Sequence, residues 1–304
     1  MEVVLFIHIM ICLPEHVELD KLIDHIRKLC WEISDILKSY NQNIDNTKEF
    51  QRNLNIKNFE TGPVTSADLK ISKLIKRRIS ERYPSISWDF LSEEDKEDNF
   101  KKKFKSKWVW IIDPIDGTRD FIKQTGEYAV HIALWYQEAI ILGFVLIPSK
   151  EELWISSCDT GTWCENKEQK IKKSICVNEK DINKLVIVTS KSHMHSKFSH
   201  LLENLNPLSV IGMGSVGYKI VSILNGDADV YISFSLPGGS SPKDWDMAAP
   251  SSIIEKAGGH ITDSSGENLN FLDANFNQEG IIIASMNAKH KELCNRISLL
   301  EKFL

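Results

Sequence analysis

Hydrophobic residues recur at helical spacing near the start of the chain. Along residues 19–40, apolar side chains return every three or four positions, which predicts one long amphipathic helix. A second helix is predicted from Ser66, a residue type that caps helix N-termini, through Ile79. The polar, asparagine-rich stretch 41–59 between them predicts a loop or the frayed end of the first helix.

Runs rich in β-branched and aromatic residues predict the strands of the first half. They lie at residues 86–91, 108–112, 128–136, 139–147 and 152–156, and the third and fourth are predicted to form a hairpin. Because Pro114 cannot donate a ladder hydrogen bond, we expect the strand that starts at Trp108 to stop there. The charged residues 96–107 predict a solvated connection.

Strands and helices alternate after a charged break at residues 166–173. Strands are predicted at 185–189, 208–213, 228–234 and 280–284, with helices at 194–204, 216–224, 247–257 and 288–300. Alternation of this kind is typical of an α/β layout. We predict an α/β protein with an α+β N-terminal half at 15–170, an α/β C-terminal half at 171–304, and an N-terminal extension at 1–14.

The extension contains an apolar run at residues 3–13 that Pro14 ends. The run is too short to span a bilayer, and the acidic Glu2 and the lack of a small-residue cleavage pattern argue against a signal peptide. The six cysteines show no C-x-x-C pair, which favours reduced thiols over disulfides. We therefore expect a cytoplasmic protein that has no contact with a membrane.

Composition narrows the class of partner. The 304 residues are 42% hydrophobic and 26% charged, as in a globular protein, and the formal net charge is −5. A nucleic-acid binder would need a basic face, so nucleic acid is not an expected partner. A small phosphorylated substrate is compatible with this negative net charge, because bound metal ions can supply positive charge at the site.

The strongest chemical signal follows the strand that starts at Trp108. Asp113 and Asp116 are three residues apart on one predicted turn, and Gly117 and Thr118 follow them. Carboxylates beside free backbone amides can hold divalent cations and a phosphate together. The spacing D-x-x-D-G-T and the position at residue 113 exclude a haloacid-dehalogenase-type phosphatase, whose D-x-D-G-T motif lies near the N-terminus.

Further carboxylates lie at predicted element ends. Glu93 and Glu94 follow a strand, and Asp68 lies at the start of a helix. Asp246 is placed at a helix N-terminus because Pro250 is comfortable only in a first helical turn. Singly, each carboxylate has an ordinary structural interpretation; together they predict a cation cluster.

Three motifs resemble those of the inositol monophosphatase-like superfamily. They are L-S-E-E-D at 91–95, D-P-I-D-G-T at 113–118 and W-D-M-A-A-P at 245–250. The segments 64–68, which ends in Asp68, and 254–259 resemble the family as well. The resemblance covers most of the chain from about Leu19, and it implies a layered α/β/α/β/α sandwich with a metal-site half and a substrate half.

The resemblance implies a Mg²⁺-dependent phosphatase. Two or three Mg²⁺ ions would be held, with Asp113 bridging two of them. Thr118 and Glu93 would orient the attacking water, Asp68 would support that water or a third metal, and the amides of Gly117 and Thr118 would bind phosphate. Such a metal cluster neutralises the phosphate, and oxygen ligands suit Mg²⁺. Inhibition by lithium is also implied. The implied metal ligands are Glu93, Asp113, Ile115 through its carbonyl, Asp116 and Asp246.

The choice among substrates within this superfamily depends on further segments outside the three motifs. Inositol monophosphatases carry a Glu seven residues before the Asp of the third motif, and that position here is Gly239. The segments 189–193, 212–219 and 241–246 instead resemble the bisphosphate nucleotidases of sulfur assimilation. For His193 a capping or packing role, and for Lys219 a solvated position, are the open alternatives. The implied substrate contacts are Gly117, Thr118, Ser192, His193, Gly214, Ser215, Lys219 and Asp246.

We therefore expect a phosphatase that removes the 3'-phosphate of adenosine 3',5'-bisphosphate, and also acts on its 5'-phosphosulfate form. The alternative is an inositol monophosphatase or another small sugar-phosphate phosphatase. A non-enzymatic metal- or phosphate-binding regulator is disfavoured, because the motif carboxylates and Thr118 are intact. The expected partner is a small phosphorylated nucleotide, and the expected assembly is a monomer or a homodimer.

Overall fold

A computed structural model describes residues 13–42, 53–59, 62–95, 103–168, 170–171, 175, 177, 179–191, 194–273 and 275–303. The extension predicted at 1–14 lies almost entirely outside the described residues, and so do Ser192 and His193. None of the helices within the described ranges is long and apolar enough to cross a membrane.

Seven α-helices occur in the described part of the chain. They are α1 (Leu19–Gln42), α2 (Ser66–Arg82), α3 (Thr118–Ile122), α4 (Ser196–Leu205), α5 (Val216–Leu224), α6 (Asp244–Lys256) and α7 (His290–Glu301). Short 3₁₀ turns cover Glu93–Asp95 and Pro148–Lys150. The helices predicted at 19–40 and 216–224 are confirmed.

A small hairpin precedes a seven-stranded sheet. The hairpin is β1 (Lys57–Phe59) and β2 (Gly62–Val64). In the sheet, β3 to β9 are neighbours in chain order; β3 and β4 are parallel and the other pairs are antiparallel. Its strands are β3 (Asp89–Ser92), β4 (Trp108–Asp116), β5 (Ala129–Tyr136), β6 (Ala139–Ile147), β7 (Glu152–Ser157), β8 (Gly161–Glu165) and β9 (Lys170–Ile171).

Both faces of this sheet are buried, which explains why β4 is apolar at almost every position. Successive side chains of a strand point to opposite faces. Trp110 and Ile112 pack in one core with α1 and α2, whereas Val109 and Ile111 belong to a second core that includes α5 and α6. A strand buried on both faces shows a nearly continuous apolar run.

The second sheet has five strands in the order β11-β10-β12-β14-β13. β10 pairs in parallel with β11 and with β12, whereas β14 pairs antiparallel with both β12 and β13. α5 and α6 pack on its inner face, and α4 and α7 pack on its outer face. The layers confirm the predicted α/β/α/β/α sandwich. The strands are β10 (Val186–Ser190), β11 (Ser209–Met213), β12 (Val230–Ser235), β13 (His260–Asp263) and β14 (Gly280–Ser285).

Two local predictions in the first half are wrong. The N-cap of α2 is Thr65 and not Ser66, because the Thr65 hydroxyl accepts from the amides of Ala67 and Asp68. Pro114 does not end β4, which continues to Asp116 through a β-bulge between Asp113 and Asp116. A bulge leaves an extra residue outside the ladder, so a proline without an N–H is tolerated there.

The placement of Pro250 in a first helical turn is also wrong. α6 begins at Asp244, so Pro250 is the seventh of its thirteen residues. Pro250 has no N–H for the carbonyl of Asp246, one turn earlier. It is buried in a helix that packs between both sheets, and this packing compensates for the missing bond. Asp246 nevertheless lies in the first turn, as predicted.

Candidate metal and phosphate site

The bulge of β4 positions the two central carboxylates. Asp113 is 1% exposed; its Oδ1 accepts from the Ile115 amide at 3.0 Å. Its Oδ2 is buried and has no hydrogen-bond donor within the described residues. A buried carboxylate oxygen without a donor is costly unless a cation binds it. Asp113 therefore offers one oxygen to an ion.

Asp116 is held from the second half of the molecule. Its Oδ2 accepts from Ser215 Oγ at 2.7 Å and from the Val216 amide at 2.5 Å, with the Gly217 amide at 3.4 Å. Val216 opens α5, so the carboxylate satisfies amides that have no acceptor inside that helix. Oδ1 of Asp116 has no such donor in the described part of the chain and is the oxygen left for a cation.

Asp246 enters the same cluster from α6. Its Oδ2 accepts from the Lys243 amide at 2.6 Å, which fixes the side chain at the helix start. Burial, and then the negative charges of Asp116 and Glu93, raise the pKa of Asp246 to about 8. Burial and the charges of Glu93, Asp116 and Asp246 also raise the pKa of Asp113 well above its ordinary value. These four carboxylates therefore lie within electrostatic reach of one another.

Asp68 and Thr118 form a small network beside the carboxylates. Oδ2 of Asp68 accepts from the Thr65 amide at 2.7 Å and from Thr65 Oγ1 at 2.5 Å. The Thr118 hydroxyl donates to the Ile115 carbonyl at 3.0 Å and lies 3.5 Å from Asp68 Oδ1. Burial raises the pKa of Asp68 to about 6. The Thr118 hydroxyl thus contacts two groups that were predicted to serve the metal and the attacking water.

Gly117 permits a close approach between the two halves. Its φ is 84°, in the left-handed region, and it caps α3. A Cβ at this position would lie 3.0 Å from the Glu127 carbonyl oxygen and 3.2 Å from the Ser215 amide. The amide of Thr118, the first residue of α3, has no acceptor within the helix and is suited to an anion.

The C-terminal residues predicted to touch substrate have mostly structural contacts. The Gly214 amide donates to Glu127 Oε2 at 2.8 Å, and Ser215 Oγ is bonded to Asp116. Lys219 is 1% exposed and donates to the Gly214 carbonyl, so the alternative of a solvated lysine is wrong. Burial lowers its pKa to about 8. Substrate contact by these residues, and by Ser192 and His193, stays a prediction.

One residue of the cluster escaped the sequence analysis. His131 in β5 is fully buried opposite Asp113, and its Nε2 lies 3.5 Å from Asp116 Oδ2. Ligand atoms of Asp113, Asp116 and His131 all lie within 4.8 Å of one another. Burial lowers the pKa of His131, which favours the neutral ring. Its only signal in the sequence is that it is the one polar residue in the apolar segment 129–135.

The donor set fits a hard divalent cation. The carboxylate of Asp113 offers an oxygen without a protein donor among the described residues. The negative charges of Asp113 and Asp116 oppose one another without a cation. Mg²⁺ prefers oxygen ligands and carboxylates. The adjoining amides at the start of α3 can hold a phosphate, so the site can join a metal ion to a phosphorylated ligand.

A family model agrees with this geometry. The model described as "Inositol monophosphatase family" matches residues 18–301. The chain belongs to the inositol monophosphatase family. The chain is therefore a phosphatase of this superfamily, and the motif carboxylates described above lie inside the matched region.

Curated relatives of this family divide between two activities. The 3'(2'),5'-bisphosphate nucleotidase CysQ of Salmonella typhimurium is 31% identical over 70% of this chain and 80% of its own. Inositol monophosphatase 1 of Xenopus laevis is 31% identical over 67% of this chain and 70% of its own. Overall identity therefore does not separate the two substrate classes.

A solved structure shows the family fold. The extragenic suppressor protein SuhB of Bartonella henselae superposes with a TM-score of 0.71 and 23% identity, over 93% of this chain and 100% of its own. A family member described as an IMPase/NADP phosphatase complexed with Mg²⁺ and phosphate gives a TM-score of 0.69 at 18% identity, over 91% and 95%. These likenesses establish the fold of the chain.

Proposed function

We propose that the protein is a Mg²⁺-dependent 3'(2'),5'-bisphosphate nucleotidase that removes the 3'-phosphate of adenosine 3',5'-bisphosphate. Relatives named CysQ support this activity, including those of Salmonella typhimurium and of Buchnera aphidicola, the latter 30% identical over 69% of this chain and 74% of its own. Hydrolysis of the 5'-phosphosulfate form belongs to the same proposal.

The loop between β12 and α6 supports the proposed substrate preference. It leads directly into the helix that holds Asp246, and residues 237–240 are exposed. Gly239, where inositol monophosphatases have a glutamate, donates its amide to the Leu236 carbonyl at 2.9 Å in a tight turn. A carboxylate there would accept from polyol hydroxyls and repel a second phosphate. Its absence favours a substrate that carries a second phosphate.

The carboxylate cluster would serve as the Mg²⁺ site. Asp113, Asp116 and Asp246, together with Glu93 and the Ile115 carbonyl, would hold Mg²⁺. Bound there, Mg²⁺ would neutralise the phosphate and lower the pKa of an attacking water. We propose two or three such ions, as the resemblance implies.

The protein's own groups position the reactants. The hydroxyl of Thr118 donates to the Ile115 carbonyl, so its lone pairs can accept from the attacking water. We assign to Thr118 and Glu93 the orientation of that water, and to Asp68 the support of the water or of a third metal ion. The amides at the start of α3 would bind the phosphate oxygens as negative charge develops on them.

The cell compartment and the assembly are part of this proposal. The described cysteines, which are Cys30, Cys158, Cys164 and Cys294, are free thiols, and this supports a reducing compartment such as the cytoplasm. A monomer or a homodimer stays the expected assembly.

A substrate comparison tests the proposal. Phosphate release would be measured with Mg²⁺ and equal concentrations of adenosine 3',5'-bisphosphate, inositol 1-phosphate and fructose 1,6-bisphosphate. We expect the highest kcat/KM for the nucleotide. A preference for inositol 1-phosphate or the sugar bisphosphate would keep the metal site but replace the substrate assignment. Metal binding without release from any of them would indicate a non-enzymatic protein.

A further inference from the structure

The proposed substrate carries two phosphates, and the metal site with the start of α3 accounts for only one of them. Lys219 is among the substrate contacts that the resemblance implies. The structure turns the Lys219 ammonium inward to the carbonyls of Gly214 and Met213, with Nζ 5.6 Å from the Tyr231 ring centroid. A side chain that is 1% exposed and bonded in this way is poorly placed to reach a ligand.

Lys191 lies at the end of the second sheet where a bound ligand is expected. It directly follows Ser190, the last residue of β10, at the carboxyl ends of the parallel strands β10, β11 and β12. Ligands of open α/β sheets bind at this edge. The Lys191 side chain is 41% exposed, and it passes so close to Gly212 in β11 that a Cβ there would lie 3.1 Å from Lys191 Cγ.

The ammonium of Lys191 bridges two carboxylates of the first half. Its Nζ lies 2.7 Å from Glu127 Oε2 and 3.1 Å from Asp120 Oδ1. Asp120 is in the first turn of α3, the helix whose start would hold the reacting phosphate. Glu127 accepts from the Gly214 amide through its side chain and from the Ser215 amide through its carbonyl. Glu127 therefore connects Lys191 to Gly214 and Ser215, and the Ser215 hydroxyl in turn donates to Asp116.

Lys191 offsets part of the negative charge of Asp120 and Glu127. Without this lysine, Asp120 and Glu127 would repel an anion that lies beside the metal site. Burial alone would lower the pKa of Lys191, but the hydrogen bonds to Glu127 and Asp120 raise it, so the side chain stays charged at neutral pH. An ammonium has three N–H donors and the two carboxylates use two, so one donor remains on a partly exposed group.

We propose that Lys191 binds the phosphate that is not hydrolysed, and that it thereby sets the preference for bisphosphates over monophosphates. This inference rests on the proposed nucleotidase function. It assigns to Lys191 a specificity role that is separate from the metal ligands.

Two substrates isolate the second phosphate. Adenosine 3',5'-bisphosphate and adenosine 3'-monophosphate share the reacting phosphate and differ only in the 5'-phosphate. Loss of one charged hydrogen bond predicts that Lys191→Met lowers kcat/KM for the bisphosphate about tenfold to a hundredfold. We expect little change for the monophosphate, and we expect Lys191→Arg to keep most of the preference.

The chain offers a matched control. Lys180 is 43% exposed and pairs with Asp229 at 2.8 Å, near the opposite end of the same sheet, before β10 and β12 begin. Lys180→Met should therefore leave the ratio of the two kcat/KM values unchanged. Calorimetric binding of adenosine 5'-monophosphate, which carries the second phosphate, should weaken in Lys191→Met, while binding of adenosine should not.

The outcomes separate the two proposals. If Lys191→Met loses activity on both substrates equally, or on neither, the specificity role of Lys191 is overturned while the nucleotidase function stands. If the wild-type protein shows no activity on either nucleotide, the proposed function itself fails. Melting temperatures of all variants show whether a loss comes from misfolding, and Lys191→Gln replaces Lys191→Met if the latter does not fold.

Discussion

Ser215 donates a hydrogen bond of 2.7 Å to Asp116, from the start of α5 to the end of β4. Ser215 also caps α5, since its Oγ accepts from the Tyr218 amide at 3.2 Å. One hydroxyl therefore fixes both a helix of the second half and a predicted metal ligand of the first. The metal site therefore depends on the contact between the end of β4 and the start of α5, and not on the D-x-x-D turn alone.

Removing this hydroxyl should weaken metal binding more than it weakens the fold. A hydrogen bond to a charged group contributes about 1.5–3 kcal/mol, so Ser215→Ala should lower kcat/KM about tenfold to a hundredfold and raise the Mg²⁺ concentration for half-maximal activity. The measurement is a Mg²⁺ titration of phosphate release. Ser222→Ala is the matched control, because Ser222 is buried in the same helix and its hydroxyl donates to the Lys219 carbonyl. An equal Mg²⁺ requirement in both variants would contradict the role of Ser215.

Two aspartates of α6 should respond in opposite ways to the same substitution. Asp246→Asn removes a predicted metal ligand and relieves repulsion from Asp116 and Glu93, so turnover should fall by orders of magnitude while the metal-free protein keeps its stability. Asp244→Asn alters a carboxylate whose two oxygens accept from the Leu272 amide and Gln278, so it should cost stability and leave kcat nearly unchanged. Thermal unfolding and kcat are measured together. Similar losses of turnover in both variants would argue against the assignment of Asp246.

The metal-free protein should lose stability as the pH rises. The pKa of Asp246 moves from 3.8 to about 8 on folding, so between these values the folded state binds more protons than the unfolded state. The free energy of unfolding should therefore decrease across this range. Mg²⁺ compensates the ionised carboxylates, so its stabilising effect should be larger at pH 8 than at pH 5. Denaturant unfolding with EDTA or with Mg²⁺ tests this, and a metal-free protein that is more stable at pH 8 would contradict it.

Lithium should inhibit the enzyme, as the resemblance to the inositol monophosphatase-like superfamily implies. Li⁺ would compete with Mg²⁺ at one position of the carboxylate cluster. The measurement is phosphate release at fixed Mg²⁺ with increasing LiCl, and KCl at equal ionic strength is the control. An active enzyme that responds equally to both salts would contradict the expected lithium inhibition, but it would not contradict the assignment of the metal ligands.

The local sequence was enough to locate the main carboxylates. Asp113 and Asp116 follow an apolar run that is buried on both faces, and Asp246 was correctly assigned to the start of a helix. The order of the elements predicted the α/β layout, and the resemblance implied the layered sandwich. These features depend on residues close together in the chain, where turn and cap preferences act directly.

Contacts set by strand register and packing could not be predicted in this way. His131 meets Asp113 because β4 and β5 pair in one particular register. Lys219 is buried because α5 packs between the sheets, whereas its helical position alone favoured a solvated side chain. Local rules also failed at Pro114 and Pro250, where the surrounding packing tolerates a proline that propensity would place elsewhere. The ion pairs of Lys191 belong to the same class of long-range contact.

The most direct test of the metal assignment is the Mg²⁺-dependent turnover of adenosine 3',5'-bisphosphate by the wild-type protein and by Asp116→Asn. The asparagine keeps an oxygen that can accept from Ser215 and Val216, so the fold should persist while the metal ligand is weakened. We expect kcat to fall about a thousandfold or more, since metal-ion stabilisation supplies several kcal/mol. Near wild-type turnover in a folded Asp116→Asn protein would contradict the assignment of this carboxylate cluster as the catalytic metal site.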